Sequence, residues 1–91
     1  MTDAKKILVV EDESHLAKGL QFNLEREGYI VSLVDNGESA IELLGEQAFD
    51  LMILDIMLPK LNGIEVAKRV RNTDIRFPIL MTVSYTHLTL P

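Results

Sequence analysis

Two apolar runs in this chain each end in acid. Ile7-Leu8-Val9-Val10 leads into Glu11-Asp12-Glu13, and Leu51-Met52-Ile53-Leu54 leads into Asp55. Unbroken runs of β-branched and aliphatic residues read as strands buried on both faces of a parallel sheet. In an open parallel sheet, ligands bind beyond the carboxyl ends of the strands, near the point where the strand order reverses. If these two strands are neighbours, Glu11, Asp12 and Asp55 meet at one rim. Carboxylates held together repel and raise one another's pKa values. A cation among them relieves that repulsion. Oxygen-only ligands, with room for waters and a phosphate oxygen, describe Mg²⁺ better than zinc. Such a site, with one carboxylate facing its open side, suits phosphoryl transfer, and carboxylate nucleophiles form aspartyl-phosphates.

Each feature alone also has a purely structural reading. Acids that follow a strand complement the dipole at the start of the next helix. A single aspartate in a loop is often a turn cap. Asp55, however, lies between Leu54 and Ile56-Met57-Leu58. A charge set in so much hydrocarbon is costly unless it is used. The occurrence of both features at the ends of alternate strands favours a site over two coincidental caps.

The elements that must position these residues follow from pattern. After the first strand, Ser14 is placed to cap a helix. Leu16, Leu20 and Leu24, with Ala17 beside them, form one apolar helix face, and Gly28 stands where a left-handed C-cap belongs. Residues 29–34 read as a second strand, and Asp35-Asn36-Gly37 as a turn. A second helix is expected over about 38–46, with Ala40, Ile41 and Leu44 inward. The third strand ends at Asp55. A third helix over about 64–72 buries Val66, Ala67 and Val70, and Pro78 precedes a fourth strand, Ile79-Leu80-Met81. Strands alternating with helices, without hairpin turns, predict an α/β fold: a doubly wound parallel sheet with right-handed crossovers.

Composition narrows the classes. The chain has 91 residues, enough for one domain, and 47% of them are apolar. A domain of this size has a thin stability margin. There is no cysteine, which excludes disulfides, thiolate zinc sites and cysteine nucleophiles. A net charge of −5 argues against nucleic-acid contact by this segment, and says nothing of a DNA-binding domain that follows it. No apolar run approaches the length of a membrane span, and the polar start, Met1 to Lys6, lacks the apolar stretch of a signal peptide. The expected location is the cytoplasm.

Taken together, Val9-Val10-Glu11-Asp12-Glu13, Leu54-Asp55-Ile56-Met57-Leu58-Pro59 and Asn62-Gly63-Ile64-Glu65 resemble the receiver domain of bacterial two-component response regulators. The motifs stand in family order and fit along nearly the whole chain as far as Met81. The resemblance implies a flavodoxin-like (CheY-like) sheet of five strands in order 2-1-3-4-5, of which this chain supplies four strands and three of five helices. It implies that Asp55 accepts phosphate from a sensor histidine kinase. Glu11 and Asp12 would hold Mg²⁺ with Asp55 and the backbone carbonyl of Met57, while Pro59 and Gly63 would shape the loop after the third strand. The stretch from Met57 to Arg71 is similar to regulators with a winged-helix DNA-binding output domain.

The resemblance breaks at the end of the chain. The family's switch Thr or Ser belongs near position 83, which here is Val83 followed by Ser84, and the lysine that ends the fifth strand has no counterpart. Residues 83–91 turn abruptly to Thr, Ser and Tyr without charge, and resemble translated sequencing adapter. We therefore expect residues 1–82 to be a partial receiver domain and 83–91 to be a non-native tail. Loss of the fifth strand would leave the fourth as a bare edge, with Ile79, Leu80 and Met81 facing solvent, and the fold marginal.

The expected role is a phosphorylation-controlled switch rather than a turnover enzyme, with at most slow loss of phosphate to water. Two other readings stay open. One is a receiver-like interaction module that no longer takes phosphate. The other is a haloacid-dehalogenase-type phosphatase, which needs a second aspartate two residues after its nucleophile; that position here is Met57.

Overall fold

The computed structural model describes residues 4–56, 58, 62–73 and 76–82. Four strands and three helices alternate: β1 (Lys6–Val10), α1 (Ser14–Arg26), β2 (Ile30–Val34), α2 (Gly37–Glu46), β3 (Leu51–Asp55), α3 (Gly63–Thr73) and β4 (Ile79–Thr82). The strands form one parallel sheet in the order β2-β1-β3-β4. The flavodoxin-like arrangement expected from the sequence is therefore present. β1 lies at the centre, and its Val10 is paired with Leu54 of β3. That register brings the ends of the two acidic runs together.

Period-two alternation divides the core between the two faces of the sheet. Ile7 and Val9 of β1, Val31 of β2 and Ile53 of β3 pack on one side with Leu20 and Leu24 of α1. Leu8 and Val10, with Met52 and Leu54, pack on the other against Ala40 of α2 and Val66 and Val70 of α3. Strands sandwiched in this way have no solvent-facing side, which is why their sequences are unbroken apolar runs.

Helix ends explain where the chain turns. The cap of α1 is Glu13, whose carboxylate accepts the N–H of His15 at 2.7 Å; Ser14, the expected cap, is the first helical residue instead. At the other end, Gly28 adopts φ 97°. The Gly28 N–H donates to the Glu25 carbonyl and the Tyr29 N–H to the Leu24 carbonyl, the pair of bonds that closes a Schellman motif. α2 is capped by Asn36, which accepts the N–H of Ser39 at 2.8 Å.

Two packing expectations need correction. Leu16 is 44% exposed. At 3.6 residues per turn, positions 16 and 24 lie about 80° apart around the helix, so the stripe facing the sheet runs through Ala17, Leu20 and Leu24 and leaves Leu16 outside. On β4, Leu80 and Met81 are exposed as expected, but Ile79 packs into the α3-side core. The expectations placed on Met57, Pro59 and the 83–91 tail fall outside the described residues.

Leu8 is fully buried and Leu80 is 54% exposed. In urea unfolding, Leu8→Ala is expected to lose about 2–5 kcal/mol. Leu80→Ala is expected to lose less than about 1 kcal/mol.

Candidate metal and phosphoacceptor site

β1 and β3 each carry an acid past the last apolar residue of the strand. Glu11 follows Val10, and its N–H donates to the Val34 carbonyl at 3.0 Å, extending the β1–β2 ladder by one step. Asp55 closes β3 opposite Thr82 of β4. The residues just before these acids, Val10 and Leu54, are 1% and 0% exposed. The acids are therefore fixed by the best-packed part of the core.

One carboxylate oxygen each from Glu11, Asp12 and Asp55 lies within 4.8 Å of the others. Asp55 is fully buried, Glu11 is nearly so, and Asp12 is exposed. The cluster thus has two inner members and one at its mouth. A cavity of about 450 Å³ opens beside Glu11 and Asp12, lined also by Ser14, Lys18, Asp35 and Ser39.

The chemistry of these donors fits a hard divalent ion. All three are oxygen ligands, and two Mg–O bonds in line span about 4.2 Å. Small rotamer changes would bring the three oxygens onto one ion. The electrostatics point the same way. Burial is the main cause that raises the Glu11 carboxyl from 4.5 to about 7; the charges of Asp55 and Asp12 and a hydrogen bond to Asp55 add to it. The N–H of Glu13, donated to Glu11 at 3.1 Å, acts in the opposite direction. Without an ion, Glu11 therefore holds its proton to higher pH than an ordinary glutamate.

Gly63, the first residue of α3, stands against the main chain of Asp55. Its N–H donates to the Ile56 carbonyl at 3.1 Å. Asn62 caps α3, accepting the N–H of Glu65 at 3.0 Å. The structure thus brings together Glu11, Asp12, Asp55 and Gly63 from the sequence-predicted set. The contact of Gly63 with Asp55 was not legible beforehand, because Gly63 read only as a loop former. His15 has an exposed side chain in the first turn of α1.

The raised Glu11 carboxyl sets a pH dependence. In the ion-free chain the folded state holds a proton that the unfolded state releases above about pH 4.5. Its stabilising effect is complete below pH 4.5 and is lost as pH rises to about 7. Thermal melts without divalent ions are expected to show stability falling across that window, by at most about 3 kcal/mol. Glu11→Gln should flatten that part of the profile.

The family model described as response regulator receiver domain matches residues 7–90. Over 77 residues the chain is 52% identical to the alkaline phosphatase synthesis transcriptional regulatory protein PhoP of Bacillus subtilis (strain 168), covering 85% of this chain and 32% of that protein. It therefore spans about a third of the length of this relative. Among solved structures, the response regulator TrrA of Thermotoga maritima, in complex with Mg²⁺-BeF, superposes with a TM-score of 0.85 at 37% identity, covering 91% of this chain and 72% of that one. A structure of histidine kinase ThkA in complex with TrrA matches with a TM-score of 0.84 at 36% identity, covering 96% of this chain and 75% of the other. With its parallel sheet, its acidic rim and a family match over nearly its whole length, the chain belongs to the response regulator receiver domain family.

Proposed function

We propose that Asp55 is the phosphoacceptor of this receiver domain, and that Asp12, Asp55 and Glu11, the last directly or through water, hold the Mg²⁺ that the reaction requires. The observation that carries this reading is the meeting of three carboxylate oxygens from β1 and β3 within 4.8 Å. The Mg²⁺-BeF complex of TrrA supports it by likeness. The backbone carbonyl of Met57 is the further ligand that the family resemblance implies. Bound there, the ion supplies charge neutralisation for the phosphoryl oxygens.

The residues divide the remaining work. Asp55, held at the end of β3 by pairing with Thr82 of β4 and by the Val10–Leu54 pair before it, presents a carboxylate oxygen as nucleophile. That oxygen attacks the phosphorus of a phosphohistidine on a sensor histidine kinase. The P–N bond breaks, its electron pair stays on the imidazole nitrogen, and an acyl phosphate forms on Asp55. Exposed Asp12 marks the side from which the phosphoryl group arrives. The added negative charge then shifts a two-state surface. The kinase as partner is supported by the ThkA–TrrA complex.

The name of the PhoP relative supports a transcriptional regulator as the parent protein, and we propose a DNA-binding output domain there. Nucleic-acid contact would belong to that domain rather than to this acidic segment. No helix among the described residues is long and apolar enough to cross a membrane, and we place the parent in the cytoplasm. Slow hydrolysis of the acyl phosphate is the extent of turnover we propose.

Treatment with acetyl phosphate and Mg²⁺, followed by intact mass measurement, tests the reading. The expected result is a gain of one phosphoryl group that disappears in Asp55→Asn and falls sharply in Asp12→Asn. A chain that gains no mass, or gains it equally in Asp55→Asn, contradicts the reading. Repeated turnover of a small phosphate ester would point to a phosphatase instead.

A further inference from the structure

Gly63 is buried at the start of α3, in contact with the peptide that follows the phosphoacceptor. A methyl group on its Cα would come within 2.9 Å of the Asp55 carbonyl carbon, and closer still to the Asp55 carbonyl oxygen and the Ile56 Cα. All three are main-chain atoms, which cannot swing aside as the end of a side chain can. Among the described glycines, Gly28 is the one with positive φ. Glycine at 63 answers to close approach rather than to backbone conformation.

The same peptide is held from the other side. The Ile56 N–H donates to the Thr82 carbonyl of β4 at 2.9 Å, while the Ile56 carbonyl accepts the Gly63 N–H. α3 is in turn anchored by Val66, fully buried in the core that it shares with Leu54. The chain around Asp55 is therefore clamped between a strand and a helix end.

We propose that Gly63 is a positioning residue for the chemistry at Asp55: α3 rests on the Asp55–Ile56 main chain, and only a residue without a side chain permits that seat. This inference rests on the reading of Asp55 as phosphoacceptor. In phosphoryl transfer the protein contributes mainly alignment and electrostatics. A side chain at 63 displaces either α3 or the Asp55 backbone, and a misplacement of about 1 Å costs about a hundredfold in rate.

The test compares Gly63→Ala with Asn62→Ala in this chain. Both weaken the start of α3, the second by removing a cap worth about 1 kcal/mol. Gly63→Ala sets a new atom against the Asp55 main chain, whereas Asn62→Ala only removes atoms. Both are studied in trimethylamine N-oxide, which favours the compact state, with circular dichroism giving the folded fraction. Three quantities are read: the Asp55 and Ile56 amide resonances without divalent ions, the Mg²⁺ dissociation constant by calorimetry, and the phosphorylation rate at saturating acetyl phosphate.

Gly63→Ala is expected to move both resonances, weaken Mg²⁺ binding about fivefold and slow phosphorylation at least about tenfold, while Asn62→Ala changes the constant and the rate by less than about twofold. Unmoved resonances overturn the contact. Moved resonances with unchanged Mg²⁺ affinity and rate overturn the positioning role, as does a Gly63→Ala chain that fails to fold where Asn62→Ala folds. A parent chain that takes no phosphate overturns the phosphoacceptor reading instead, and positioning is then judged on the resonances and the Mg²⁺ constant.

Discussion

Mutual repulsion of three carboxylates at one rim of the sheet is the constraint on which the rest depends. Glu11, Asp12 and Asp55 gather there because β1 and β3 are adjacent and their apolar residues are buried on both faces. A one-residue slip would exchange each strand's two buried faces, moving Leu8 and Val10 to the α1 side and Ile7 and Val9 to the α2–α3 side, where neither set fits its new neighbours. The acids are thus held in place by packing energy supplied elsewhere. A rim of this kind needs a compensating positive charge. In the ion-free chain burial, helped by the charges of Asp55 and Asp12, raises the Glu11 carboxyl to about 7. A hard divalent ion would meet the same need and, on the proposed function, would also neutralise an incoming phosphoryl group.

The helices do more than cover the sheet. α1 and α2 start beside the acidic rim, and their caps, Glu13 and Asn36, set the chain's course away from it. α3 is tied to the rim more tightly, because Gly63 lies against the Asp55 backbone and Val66 is locked in the core beneath. Asp55, β3 and α3 therefore share one set of contacts. A site on rigid elements keeps its geometry better than one on loops alone.

Much of this was legible in sequence. The unbroken runs at Ile7–Val10 and Leu51–Leu54 marked strands covered on both faces, and the acids ending them marked the rim. In the structure, period-two alternation divides Val9 and Leu8 between opposite cores. What was not legible depended on three-dimensional detail. Leu16 looked inward on a four-residue spacing, but the helical twist carries it off the stripe. Ser14 is a strong capping type, yet Glu13 one residue earlier has the extended backbone and takes the role. Gly63 read as a loop former because a clash between a helix start and a distant strand end leaves no local pattern.

The central claim is that Glu11, Asp12 and Asp55 form one ion-binding unit. Side-chain carboxyl carbon resonances followed during a Mg²⁺ titration test it most directly. The account predicts that these three resonances move together with a single dissociation constant, while those of Glu38 and Glu42 on α2 stay still. Three separate responses, or a response no larger than that of the α2 glutamates, would contradict it.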